Sequence, residues 1–209
     1  MSADQAAAGP GVIVNPLSGE QITVLAASAD TGGSVLEWEL LLAPGGRVPS
    51  SHAHPEQEEL FCVLDGQVRF RVGGRRITAG PGDTVRVPPG TVHHFANAGT
   101  RPARVVAATR PALDMQELLE TAAAMAQAQH AAARRLPNLL DLALFMRDFE
   151  REVRAPYLPA VLVRAVTRPA AWLAARCGAD ARYRRLRRVR GVGGVGSPGG
   201  RAPEPGPGR

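Results

Sequence analysis

Between Gln21 and Ala108 the chain runs as short stretches rich in Val, Ile, Leu and Phe. Turn signals separate them at Gly45-Gly46, Asp65-Gly66, Gly73-Gly74, Gly80-Pro81-Gly82-Asp83 and Pro89-Gly90. In the stretch Val35 to Leu42, Leu36, Trp38 and Leu40 alternate with Glu37 and Glu39, as in a strand with one buried face. Many short strands at this spacing predict an all-β sandwich or barrel over residues 20–111, after a flexible N-terminus over 1–19. The pattern changes at Met115. An Ala-rich stretch reaches Arg135, and Leu139, Leu140, Leu142, Ala143, Phe145, Met146 and Phe149 then recur at three- and four-residue steps, predicting helices. Pro156, Pro159 and Pro169 are expected to break the next stretch into short helices, so that a helical extension covers 112–190. Residues 191–209 are nearly all Gly, Pro, Ala and Arg and are expected to form a disordered tail.

The length of 209 residues suits one well-buried core with appendages. All 25 basic residues are Arg, which with the abundant Ala, Gly and Pro reads as compositional bias more than as selection for an anionic ligand. The charge is uneven. Residues 1–111 hold 9 Arg against 10 acids, whereas 112–209 hold 16 Arg against 9 acids. Two cysteines, Cys62 and Cys177, do not make a framework of disulfides. Without a basic start and apolar core like those of a secretory signal, or an apolar run of about 20 residues, the expected location is cytoplasmic.

His52 and His54 are two residues apart, so on an extended segment both imidazoles share one face. Period two puts Glu59, Phe61 and Val63 on one face of the next stretch and Leu60, Cys62 and Leu64 on the other. If the first face is internal, Glu59 is a buried carboxylate that needs a compensating charge, and a divalent ion held by neutral histidines supplies one. His93 follows the turn at Pro88-Pro89-Gly90. Three His and one carboxylate suit a first-row transition metal with open positions left over.

These residues resemble the cupin family. Gly46, five residues, His52, one, His54, four, Glu59, six, Gly66 matches its first motif; Gly82, five, Pro88, one, Gly90, two, His93, three, Asn97 matches its second. Ten fixed positions at about one chance in twenty each arise by accident about once in 10^13 windows. The resemblance covers about residues 30–110. It implies a mainly β fold, a double-stranded β-helix (jelly-roll) barrel, here followed by the helical segment and the tail. It also implies one divalent ion (Fe, Mn, Ni, Cu or Zn) at His52, His54, Glu59 and His93. Glu58 is an alternative ligand, although the spacing to Gly66 favours Glu59. The family resemblance does not fix a reaction, because cupins include dioxygenases, isomerases, decarboxylases, sugar-processing enzymes, sensors and storage proteins.

Other residues carry plainer readings. His94 should point away from His93; Arg69, Arg71 and Arg86 suit solvated faces; Cys62 reads as a buried apolar filler and His130 as an exposed helix residue. Gln67, Phe61 and Phe95 are candidates for the cavity lining. The cluster Arg182, Arg184, Arg185, Arg187, Arg188 and Arg190 reads as a solvated basic helix end, not as a nucleic-acid or membrane contact. The amphipathic helices over 115–176 must cover something apolar, the barrel's outer face, a partner subunit or a membrane surface, and packing on the barrel or in a homodimer is preferred. Two functions fit: a metal-dependent enzyme, dioxygenase-like or isomerase-like, acting on a small organic molecule with Glu59 or Glu58 as proton acceptor; or a non-catalytic cupin that senses a small molecule through its helices. The set of three His and one Glu also resembles that of flavonol-cleaving dioxygenases.

Overall fold

A computed structural model describes residues 11–48, 50–156 and 159–188. The expected disordered tail over 191–209 lies outside the described residues. Nine strands come first: β1 (Val12–Asn15), β2 (Glu20–Ala26), β3 (Leu36–Leu42), β4 (Glu58–Asp65), β5 (Val68–Val72), β6 (Arg75–Ala79), β7 (Thr84–Val87), β8 (His93–Asn97) and β9 (Ala103–Arg110). Four helices come after them: α1 (Met115–Ala131), α2 (Leu139–Asp148), α3 (Ala160–Arg176) and α4 (Ala179–Arg188). The strands form a six-stranded sheet, β1-β2-β3-β9-β4-β7, facing a three-stranded sheet, β6-β5-β8, and every pairing is antiparallel.

The alternation in the sequence becomes a set of inward-facing rows. Glu59, Thr109 and Leu36 lie across the large sheet in register, followed by Phe61, Ala107, Trp38 and Val24, then Val63, Val105, Leu40 and Ile22, then Ala103, Leu42 and Glu20. From the small sheet Phe70 and Phe95 meet Phe61, with ring centroids 5.4–5.8 Å apart. Such tilted aromatic packing adds to the burial of three large side chains.

Two motif glycines are explained by close approach. A Cβ on Gly66, whose φ is +78°, would lie 2.8 Å from Ala103 Cα, and one on Gly46 would lie 2.8 Å from the Ala43 carbonyl oxygen. Asn97 ends the second motif for a structural reason as well: its amide donates to the carbonyls of Leu42, Ala43 and Arg101, tying three chain segments together.

Four sequence expectations need correction. The flexible N-terminus does not extend through residue 19, because Val12–Asn15 pairs with β2 and Ile13 is buried against the core. The Asn15 side chain makes the turn by accepting from the amides of Leu17 and Ser18. Pro169 does not break a helix but sits inside α3, where it and Ala165, whose carbonyl loses its partner, both face solvent. Third, the helices do not pack on the barrel's outside. Met115, Leu118, Ala123 and Phe149 belong to the same buried cluster as the barrel interior, so α1 and the end of α2 roof the barrel mouth.

The Arg cluster is the fourth correction. Arg182 pairs with the buried Asp141 at 2.8 Å; Arg187 pairs with Glu117 at 2.8 Å and with Asp148 at 2.5 Å, and sits over the Phe149 ring. Together with the buried Tyr183 these contacts fasten α4 onto α1 and α2. Arg190 lies outside the described residues.

Candidate metal centre

The segment carrying the first two histidines runs antiparallel to the start of β8. His52 and His93 exchange both backbone hydrogen bonds, N to O at 3.1 and 2.8 Å, which brings their side chains side by side. One residue further, Ala53 exchanges the same pair of bonds with Arg154, at 3.2 and 2.8 Å. His54 is fixed from a third direction, because its carbonyl accepts from the Gly90 amide at 2.7 Å, the tight turn of the second motif.

Each imidazole is oriented by a backbone carbonyl. His52 Nδ1 donates to Ser50 O at 3.0 Å, His93 Nδ1 donates to Thr91 O at 3.1 Å, and His54 Nδ1 donates to Glu152 O. With the Nδ1 proton committed to a carbonyl, each ring in its neutral form presents its Nε2 lone pair. The three rings meet with centroids 4.4–5.2 Å apart. Glu59 Oε2 lies 3.2 Å from His54 Nε2 and 2.9 Å from His93 Nε2, yet these three buried atoms are not in hydrogen-bonding geometry with any partner.

One donor atom from each of His52, His54, Glu59 and His93 lies within 4.8 Å of all the others. Ligands about 2.1 Å from a common ion stand roughly 3 to 4.2 Å apart, so separations of up to 4.8 Å need only a small closing movement to fit a metal site. Buried donors without partners, aimed at one point, are costly unless something binds there.

The electrostatics are strongly coupled. Burial would push Glu59 up, but His54 and His93 hold its carboxyl well below the ordinary range. Burial acts to lower His54, and the Glu59 carboxylate, aided by the Glu152 carbonyl, overrides it and holds His54 above its usual value. His52 is pushed down to about 3 by burial and by the two neighbouring imidazoles, which keeps it neutral and able to act as a ligand.

The tetrad stands at one end of a cavity of about 220 Å³. Ile22, Trp38, Leu40, Phe61 and Phe95 line its barrel side; Met115, Leu118, Leu119, Phe145 and Val153 close it from the helical extension. Glu20 lines the same cavity three inward-facing rows from Glu59, about 20 Å along the strand direction, and accepts from the Ser18 hydroxyl at 2.5 Å.

Burial pushes the Glu20 carboxyl from 4.5 up to about 7, with Ser18 offsetting part of the shift. A raised carboxyl stabilises the fold fully below the unfolded-state value, and this contribution is lost as pH rises through the folded-state value. Glu20→Gln is therefore expected to match the parent near pH 4 and to exceed it by about 3 kcal/mol above pH 7, read as urea midpoints across that range. A constant difference between the two proteins at every pH would rule out a buried protonated carboxyl.

Glu58 points outward and pairs with Arg86, Nε to Oε2 at 2.6 Å, so the structure does not bring it into the cavity as a catalytic group. Period two requires this, because the residue before an inward Glu59 must face out. Arg69 and Arg71 face solvent, as does His130. Gln67 is exposed and does not line the cavity, whereas Phe61 and Phe95 do. Cys62 is half-buried on the outer face and is not the buried filler expected. His94 turns away from the tetrad, its Nδ1 3.0 Å from Ser51 Oγ.

Sequence reasoning missed Glu20 and the contribution of Glu152 and Arg154. It also missed Gln57, a buried residue whose amide donates to the carbonyls of Pro111 and Ala112 and ties the tetrad's strand to the start of the extension.

Comparison with known proteins agrees with this geometry. The profile of the cupin domain family matches residues 38–109. An uncharacterized protein of Methanocaldococcus jannaschii is 27% identical over 34% of this chain and 56% of its own length. Quercetin 2,3-dioxygenase of Bacillus subtilis is 32% identical over 38% of this chain and 23% of its own length. The chain thus spans little more than half of the first relative and under a quarter of the second. Among solved structures, a predicted oxalate decarboxylase of Thermotoga maritima aligns with a TM-score of 0.42 and 22% identity, covering 44% of this chain and 80% of that one. The family match across β3 to β9, both motifs in register and the two antiparallel sheets enclosing the tetrad identify residues 38–109 as a cupin domain, with a helical extension closing its barrel.

Proposed function

We propose that this cupin is a metal-dependent enzyme acting on a small, largely apolar organic molecule held between the tetrad and the helical roof. The observation that carries the reading is the convergence of buried, unpartnered donor atoms at one end of an apolar cavity. His52, His54, Glu59 and His93 would hold the ion. A bound first-row divalent ion supplies Lewis acidity and access to redox chemistry.

The chain's own residues supply the rest. The three backbone carbonyls hold the imidazoles with Nε2 forward, and Glu59 brings the negative charge that offsets the ion and can take a proton at Oε2. Trp38, Phe61 and Phe95 offer flat apolar surfaces for a ring, and the roof of Met115, Leu118 and Phe145 excludes water.

A second reading, a non-catalytic small-molecule sensor, is favoured by one observation. The ligand segment is bonded directly to the extension through His54 to Glu152 and Ala53 to Arg154, so occupancy of the site bears on the helices. One experiment separates the two: metal analysis of the purified protein, followed by incubation with flavonols and small carboxylates under air and under nitrogen. Stoichiometric metal with product formation supports the enzyme. Stoichiometric metal without turnover, but with ligand-dependent protection of the helices from proteolysis, supports the sensor. Protein purified without metal that takes up none when supplemented defeats both.

A further inference from the structure

Helix α3 turns its large apolar side chains outward. The side buried against α2 and α4 is built from small residues, Thr167, Ala171 and Ala174. Val161 is 73% exposed, Leu162 55%, Val166 69%, Trp172 58% and Leu173 49%. At about 100° per residue, these five and Pro169 occupy a sector of about 140° centred opposite Thr167, which also holds Ala165 and, at the C-terminal end of the helix, Arg176. A helix that packs through alanines and presents Val, Leu and Trp to water has an unsatisfied apolar face.

Arginines outnumber acids around that face, although Glu150 and Asp180 border it and pair with Arg164 and Arg184. No acidic residue occurs on α3. Arg164 and Arg168 flank the sector, Arg164 pairing with Glu150; the Arg176 guanidinium stacks over Trp172 at 4.2 Å; Arg184 borders the same flank beside Ala175. The helix is 17 residues long, and among the described residues no helix is long and apolar enough to cross a membrane.

We propose that α3 seats this protein on an anionic lipid surface, lying flat with Trp172, Val166 and Leu173 among the acyl-chain ends and Arg168 and Arg176 at the headgroups. Exposed Trp with flanking Arg is the side-chain pairing that interfacial helices use. A second copy of this chain fits the face less well. A two-fold contact would set α3 against itself, and its arginines would meet their own copies with no acid on the helix to pair with. The sequence alone ranked a membrane contact below other readings both for the Arg cluster of α4, which the structure partly engages in internal ion pairs, and for the amphipathic helices over 115–176; the exposed apolar sector of α3 is what the structure adds.

Vesicles provide the test, with the full chain carrying its metal. Phosphatidylglycerol–phosphatidylcholine vesicles should sediment the protein and shift Trp emission to the blue. Trp38 is only 4% exposed in the core, so the shift reports Trp172, and Trp172→Phe should abolish it while binding persists. Phosphatidylcholine vesicles alone should bind much less, and salt should weaken the anionic complex. Arg168→Glu should weaken binding at least fivefold. Val166→Glu with Leu173→Glu should abolish binding without changing metal content; Val166→Ser with Leu173→Ser serves as a milder pair should the first unfold. Undiminished binding by the folded double variants would assign the contact elsewhere and overturn the proposal. So would the absence of binding by the parent, whether it is a monomer or a dimer that Val166→Glu dissociates.

Discussion

The protein is expected to carry one Fe, Mn, Ni, Cu or Zn ion per chain, and replacing His93 or His54 by Ala is expected to remove it. Both imidazoles are buried, and both present Nε2 toward Glu59 Oε2 from a fixed direction. Three donors where four are arranged leave the ion weakly held and in competition with buffer. The readout is elemental analysis after expression with metal supplementation. A chelator should destabilise the parent by about 3 to 4 kcal/mol when free metal had stood at roughly 100 to 1,000 times Kd. That corresponds to a fall in Tm of roughly 10 °C. The Ala variants should show no chelator response. Glu59→Gln should weaken binding less than loss of an imidazole, because it keeps the shape and removes only the neutralising charge. Binding should also release protons, since His54 is held above its ordinary value in the ion-free site, so affinity falls as pH is lowered. A parent protein that takes up no ion, with a melting curve indifferent to chelators, would show the tetrad to be vestigial.

Cutting the chain after Pro111 is expected to give a fragment that aggregates and binds metal poorly. The cut removes Met115, Leu118 and Phe149 from the core and opens the cavity wall of Trp38, Phe61 and Phe95 to water. An apolar surface of that kind on a soluble domain drives association. The cut also removes the Glu152 carbonyl that orients His54 and the Arg154 backbone that pairs with Ala53. Loss of such an outer partner typically costs about 10- to 100-fold in metal affinity. Size-exclusion chromatography with metal titration measures both effects. A monodisperse fragment with the parent's affinity would show the extension to be an independent module that neither roofs nor supports the site.

Much of the site is legible in the residues alone. The spacing of His52, His54, Glu59 and His93 between motif glycines carries the tetrad, because period two assigns faces without knowledge of the fold. The same rule turned His94 away from His93 and put Phe61 on the face of Glu59, whereas Arg69 and Arg71 could have faced either way until the structure placed them in solvent. It also demanded that Glu58 face away once Glu59 faced in, so that expectation failed by a rule already in hand.

What the sequence by itself determined is local: the strand alternation, the turns at Gly46 and Gly66, the ligand set, and a switch to helix after Pro111. The tertiary structure decided everything that joins distant segments. Glu20 is an ordinary polar residue until β2 pairs with β3 and turns it into the cavity, where burial raises its carboxyl. The roof over the site depends on contacts between residues 53–54 and 152–154. Backbone groups of the extension make them, to the Ala53 backbone and the His54 imidazole, so no side-chain pattern in the extension records them. The periodicity of α3 reveals two faces, but the closer packing of alanines against α2 decides that the small face is buried and the large one left in water.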